Sequence, residues 1–271
     1  MATPERLYDL ELAEGIRINA FFEAVREVSF AAAGPSEERA ALQGVLFSFD
    51  SGKIRLLAAD AYRLASVEID ADYPTPTRNQ IIVDARQLSL ASRLLFAPGK
   101  SSMGDVALKD IRSTPLDKLE ISSTSTGERV QISQIPAVYP DWRSLVKYPE
   151  EPAPFTTFKR TDLEEALKKF ENRGVVTISR GQGKMLVRQS TADEWGNPRC
   201  KSLQTTVPAE GSPDGPSVTL RTRHLKALLK NVVSSDKFYF RVRESGAHEI
   251  VFRKVDDPKN FIYITMPFWL E

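Results

Sequence analysis

Arg17-Ile18-Asn19-Ala20-Phe21-Phe22-Glu23-Ala24-Val25 has a counterpart late in the chain, Lys159-Arg160-Thr161-Asp162-Leu163-Glu164-Glu165-Ala166-Leu167. Each opens on a cation and runs into apolar residues at helical spacing. A second pair lies further on: Val83-Asp84-Ala85-Arg86-Gln87-Leu88 and Leu220-Arg221-Thr222-Arg223-His224-Leu225. The offset of about 140 residues is too long for a solenoid unit and suits a duplicated domain. Each half then reads strand, helix, strands, helix, strands. Two helices covering one face of antiparallel sheet make an α+β layered domain, present twice in tandem.

The elements follow outward from these pairs. In the first half, Asn19 is expected to cap a helix bearing Phe21, Phe22, Val25, Val28 and Ser29, with Glu23, Arg26 and Glu27 on the other side. Leu42 to Phe49 and Lys53 to Ala58 read as a hairpin around Asp50-Ser51-Gly52, followed by strands Ser66 to Ile69 and Gln80 to Val83. Asp84 and Gln87 read as a capping box opening a helix from Ala85 to Phe96, and Val106–Ile111, Leu119–Ser123 and Glu128–Ile132 as strands. Tyr148 to Pro154 is rich in proline, which predicts a stiff linker between domains at residues 1–147 and 155–271.

In the second half, Phe155 to Lys159 is expected as a strand. Thr161 with Glu164 reads as a capping box for a helix from Asp162 to Asn172. A hairpin follows, Val175–Arg180 and Lys184–Gln189. Strands Lys201–Val207 and Ser217–Leu220 lead to a helix from Thr222 to Val233, then to strands Lys237–Arg243 and Glu249–Lys254 and a terminal strand.

The chain has 271 residues and a net charge of +1, the composition of a globular protein. Its apolar runs are too short to span a membrane as helices, and Met1 to Arg6 carries no secretory pattern, so a cytoplasmic protein is expected. With Cys200 alone there is no disulfide framework and no thiolate metal cluster.

Catalytic signals are weak. His224 and His248 sit on different elements without metal-ligand spacing, and His224 reads as a surface or interface residue. Gly181-Gln182-Gly183 lies in a hairpin turn with no helix opening after it, so it reads as a turn and not a phosphate cradle. No catalytic residue, metal or cofactor is expected. The helices say more. Arg223, Lys226 and Lys230 form one stripe opposite Leu225, Leu228, Leu229 and Val232. Arg86 and Arg93, Lys168, Lys169 and Arg173, and Arg26 are placed similarly on the other three helices. Each helix alone reads as a solvated face; four at equivalent places in two repeats point to a shared surface for a polyanion, bound through its backbone.

The chain closes on Tyr263-Ile264-Thr265-Met266-Pro267-Phe268-Trp269-Leu270-Glu271, apolar almost throughout. Pro267 stops ladder pairing after a strand. The residues beyond it either pack over a core or form one wall of a groove that a partner fills.

Four segments carry a family resemblance: Leu42 to Phe47, Leu57-Ala58-Ala59-Asp60-Ala61-Tyr62-Arg63-Leu64-Ala65, Val138-Tyr139-Pro140-Asp141-Trp142-Arg143, and Tyr263 to Pro267. They resemble, in order and placement, the bacterial DNA polymerase III beta subunit, the sliding clamp. The resemblance implies tandem clamp domains whose helices line a ring around double-stranded DNA, and a non-catalytic role tethering a polymerase, in the cytoplasm at the nucleoid. It implies a groove for polymerase and clamp-loader peptides. Leu42, Ala59, Ala61, Tyr62, Arg63, Leu64, Pro140 and Leu145 would line it from the first half, with Ile264, Met266, Pro267, Phe268 and Trp269 from the second. Where the family has Thr, Gly and His, this sequence has Ala59, Ala61 and Tyr62, and Phe268 and Trp269 replace a Met and an Arg, so a more aromatic groove is expected. The family's usual chain has three domains and closes as a dimer of six. Here the resemblance begins at the second domain, so a ring of six would need a homotrimer. The competing expectations are a clamp-derived regulator that keeps the groove without a ring, and an unrelated enzyme on a borrowed fold.

Overall fold

The computed structural model describes residues 9–50, 52–72, 79–95, 104–111, 116–146, 155–193, 201–211, 217–242, 249–257 and 260–267. Ser51 in the first hairpin, the proline-rich linker 148–154, Cys200, His248, Phe268 and Trp269 lie outside these residues. Two compact units emerge: residues 1–61 with 65–145, and residues 62–64 with 146–271.

The first unit runs β1 (Asp9–Arg17), α1 (Ile18–Ser29), a 3-10 turn (Ala40–Gln43), β2 (Gly44–Asp50), β3 (Lys53–Ala59), β4 (Arg63–Asp70), β5 (Gln80–Asp84), α2 (Ala85–Leu95), β6 (Asp105–Ile111), β7 (Lys118–Ser123) and β8 (Arg129–Ser133). Its strands form two antiparallel groups, ordered β1-β6-β7-β8 and β4-β3-β2-β5. One seam joins them where Glu14 and Asp72 exchange backbone hydrogen bonds of 2.7 and 3.0 Å. At the other, the Ile135 N–H donates to the Ile82 carbonyl at 2.8 Å. The core follows from period-two alternation: Val106 and Leu108 on β6 meet Leu119 and Ile121 on β7, and α1 lays Phe21, Ala24, Val25 and Val28 against the sheets. A short helix, α3 (Arg143–Val146), follows Trp142.

The second unit repeats that order: β9 (Thr156–Lys159), α4 (Arg160–Leu167), β10 (Gly174–Gly181), β11 (Lys184–Asp193), β12 (Leu203–Gly211), β13 (Val218–Arg221), α5 (Thr222–Asn231), β14 (Lys237–Val242), β15 (Ile250–Lys254) and β16 (Phe261–Thr265). Its strands run β13-β10-β11-β12-β9-β14-β15-β16. The seam between β12 and β9 is the counterpart of the Glu14–Asp72 seam, here drawn out into three residue pairs from Ala209–Phe158 to Gly211–Thr156. The duplication read from sequence is therefore a duplication of topology, and the α+β class is as expected.

Gly211 makes that seam possible. Its φ is +124°, and a Cβ there would stand 2.2 Å from the Phe155 carbonyl oxygen. Both the backbone angle and the close approach require glycine. Gly211→Ala is expected to cost about 1–3 kcal/mol in urea unfolding, the usual magnitude for one strained backbone position. An unchanged midpoint would contradict this seam.

Several local expectations are corrected. Asn19 is not the cap of α1: the helix already starts at Ile18, with Arg17 before it at φ −56° and ψ 126° and no side-chain cap. Thr161 does not cap α4, which starts at Arg160; the Glu164 carboxylate accepts instead from the Arg160 guanidinium at 2.6 Å, one helical turn away. That helix ends at Leu167, short of Asn172. Asp84 does cap α2, accepting the backbone N–H of Arg86 and Gln87 at 3.0 and 2.8 Å. Leu42 lies in the 3-10 turn before β2 and not in the strand, and Glu27 is buried, not outward.

Candidate functional site

The loop between β3 and β4 is only Asp60-Ala61-Tyr62, too short to fold back on itself. It presents Tyr62 outward, about half exposed at 48%. Although β4 continues into the first unit, Tyr62, Arg63 and Leu64 cluster with the second. The Tyr62 carbonyl accepts the Met266 N–H at 2.8 Å and the Thr265 hydroxyl at 3.4 Å. This ties the end of β16 down just before Pro267, where no further ladder donor exists. The Met266 side chain stays exposed at 39%.

Two further residues complete this cluster. The Arg221 guanidinium lies 3.9 Å from the centre of the Tyr62 ring, a close cation–π stack. The His224 ring centre is 6.5 Å from that of Tyr62. Arg221 is the last residue of β13 and His224 sits in the first turn of α5, so the strand-to-helix junction delivers both. His224 is buried, which corrects the surface assignment. Burial, then the charges of Arg63, Arg223 and Arg221, lower its pKa to about 3, so the imidazole is neutral at physiological pH.

A pH dependence follows. The unfolded imidazole protonates near its ordinary 6.5 and the folded one near 3. Between those values the unfolded chain binds the extra proton. The stability that the neutral ring contributes is therefore full above 6.5 and is lost as pH falls toward 3. His224→Gln is expected to flatten the acid side of the stability profile by up to about 1.4 kcal/mol per pH unit. An identical slope in denaturant titrations of both proteins at pH 6 and pH 4 would refute this.

The first unit carries its own group of candidates. Tyr139 is buried, and that burial pushes its phenol well above the ordinary value, with the Asp60 charge adding to the effect and the Ala59 backbone opposing it. Trp142 is held between two guanidinia, Arg55 at 5.1 Å and Arg143 at 4.9 Å from its ring. Pro140 is exposed and Leu145, on α3, is 36% exposed. Ala61 is exposed, Arg63 and Pro267 are half-buried, and Leu42, Ala59, Leu64 and Ile264 are buried.

The helix cations differ in exposure. Arg26, Arg86, Arg93, Lys168, Lys169, Arg173, Arg223 and Lys230 are exposed. Lys226 departs: it is half-buried, and its ammonium donates to the Phe170 carbonyl at 2.5 Å, so it ties α5 to the turn after α4 instead of facing outward. Lys168 pairs with Glu165. On α2 the exposed face includes Leu90 and Leu94, at 59% and 57%, beside the arginines. Among the described residues there is no group of His, Cys, Asp or Glu that would hold a metal ion, and no helix is long and apolar enough to cross a membrane.

Residues 15–136 match the family model described as DNA polymerase III beta subunit, central domain. A DNA polymerase sliding clamp from Pseudomonas aeruginosa, solved with a ligand, superposes with a TM-score of 0.77 at 20% identity, covering 100% of this chain and 69% of that one. The chain has the bacterial sliding-clamp fold. The beta subunit from Thermotoga maritima superposes on it with a TM-score of 0.72 at 17% identity, and the sliding clamp from Caulobacter crescentus with 0.73 at 18%. Each aligns with 100% of this chain, which spans 68% of either relative. No curated protein matches the sequence. Neither spacing nor periodicity links Arg221 and His224 to Tyr62, and only the folded second unit brings them together.

Proposed function

We propose that this clamp-fold chain is a DNA sliding clamp, a non-catalytic processivity factor that encircles duplex DNA and docks partner peptides at Tyr62 and Met266. The reading rests above all on one observation. Both units have the same strand and helix order, so each chain brings two of the modules from which a six-module ring is built. Three chains joined head to tail would complete that ring, with Arg26, Arg86, Arg93, Lys168, Lys169, Arg173, Arg223 and Lys230 offering sequence-independent contacts to phosphates. The residues proposed for peptide docking are those that the family resemblance implies, among them Tyr62, Arg63, Leu64, Ile264, Met266 and Pro267 of the second unit. Association through strand edges has a ready candidate in β8, which lies at the end of its sheet with β7 as its ladder partner. The peptide role is supported by Tyr62 and Met266, two apolar side chains held by one backbone hydrogen bond and left exposed.

The exposed Leu90 and Leu94 favour a second reading, a clamp-derived interaction protein that forms no ring, because apolar side chains on a helix suit a protein contact better than a phosphate backbone. Native mass spectrometry across a concentration series separates the two. A trimer is expected for the ring; a persistent monomer at micromolar concentration would overturn it.

A further inference from the structure

The two repeats differ on one helix face. In their shared register α2 and α5 keep their cations: Arg86 matches Arg223, and Arg93 matches Lys230. The residues between and beside those cations diverge. Leu90 and Leu94, exposed at 59% and 57%, stand where α5 has Ala227 and Asn231, both half-buried. The duplicated fold therefore does not require leucine at either place. Arg86, Leu90, Arg93 and Leu94 recur at helical spacing and share one stripe of α2. Helix stability does not account for that stripe. Arg86 lies in the first turn, where the macrodipole disfavours a cation, and two exposed leucines one turn apart gain nothing from burial.

Charge narrows what could cover it. No Asp or Glu lies within α2, and the Asp84 carboxylate just before it is engaged by the backbone N–H of Arg86 and Gln87. Neither Arg86 nor Arg93 forms an ion pair among the described residues. The neighbouring helix, α1, packs beside α2 and exposes one charge of each sign, Glu23 and Arg26. A second copy of the stripe would set arginine against arginine. A phosphate backbone would answer the arginines but leave the leucines in water. An acidic amphipathic segment answers both.

We propose that the face of α2 carrying Arg86, Leu90, Arg93 and Leu94 docks an acidic amphipathic helix of a partner protein. Its apolar side chains cover Leu90 and Leu94, and its carboxylates pair with Arg86 and Arg93. In a ring, such a partner would compete with duplex DNA for the same two arginines. The inference rests on neither the ring nor the Tyr62 and Met266 site, so each can fail separately.

Selection from a phage library of helix-forming peptides, random at their surface positions, against the full chain tests it. Peptides whose binding is lost in Tyr62→Ala belong to the other site and are set apart. The rest are measured by fluorescence anisotropy against the parent and against Leu90→Ala with Leu94→Asn, which carries the residues of α5 at the same places. Peptides that bind that variant about tenfold or more weakly are expected, enriched in Asp or Glu beside apolar residues. Their binding should weaken as salt is raised, and Arg86→Gln with Arg93→Gln should remove that salt dependence. All four side chains are exposed, so the urea midpoints of both variants should match the parent. Absence of any peptide sensitive to the leucine pair, or sensitive peptides without an acidic bias, overturns the inference. A lowered midpoint would give the leucines a structural role and overturn it as well. Leucine-dependent capture by vesicles of anionic phospholipid in place of peptide overturns it in favour of a membrane surface.

Discussion

Replacing Tyr62 and Met266 together by alanine is expected to weaken peptide capture by several hundredfold while leaving the folded state unchanged. Both side chains are substantially exposed, so each has apolar surface that a bound peptide can cover. An aromatic or methionine anchor desolvated at an interface contributes about 2 kcal/mol. Two of them, discounted for their proximity, amount to about 3–4 kcal/mol, which converts to that loss of affinity. The fold should be spared because the bonds holding the segment are made by backbone: the Met266 N–H still donates to the Tyr62 carbonyl after both side chains are cut. Isothermal titration with a peptide selected for Tyr62-dependent binding and urea unfolding on the same sample check the two halves of the expectation. Loss of folding in place of binding would return this segment to the simpler role of covering a core.

Phe158→Ala is expected to cost about 3–5 kcal/mol of stability, the largest effect of any single core change considered. Phe158 is buried on β9, opposite Phe238 on β14. Its ring lies 6.2 Å from those of Phe238 and Phe240 and 6.5 Å from Phe252. Such a cluster combines apolar burial with edge and offset ring contacts. Its loss leaves a cavity walled by three rigid rings that cannot collapse into it. Val138, 92% exposed in the first unit, is the control: alanine there should change stability by less than about 0.5 kcal/mol. A loss under about 1 kcal/mol for Phe158→Ala would contradict a tightly packed aromatic core around β9.

The duplication was legible because it is written in periodicity. The alternation on β6 and β7, and the apolar stripes of α1 and α5, each report a local geometry that tertiary contacts only reinforce. The misread caps show what periodicity lacks. Thr161 and Glu164 have the spacing of a capping box, but Arg160 competes for the same carboxylate. Lys226 fits a cationic stripe by count, yet its ammonium finds the Phe170 carbonyl, a partner set by the turn after α4. His224 looked like one polar residue on a basic helix. It is buried, with its ring 6.5 Å from that of Tyr62, a residue far away in the sequence. The family resemblance singled out Tyr62 and Met266, which the fold brings together through one backbone hydrogen bond. The stacking of Arg221 on Tyr62 was hidden, because only folding supplies that neighbour.

The measurement that tests the central claim most directly is retention on blocked DNA. Labelled protein is allowed to thread onto linear duplex, both ends are capped with streptavidin, and the sample is washed at a salt concentration that dissolves phosphate contacts. Encirclement predicts that protein stays on the blocked duplex and slides off the same duplex with free ends. Equal loss from both would contradict a ring around DNA.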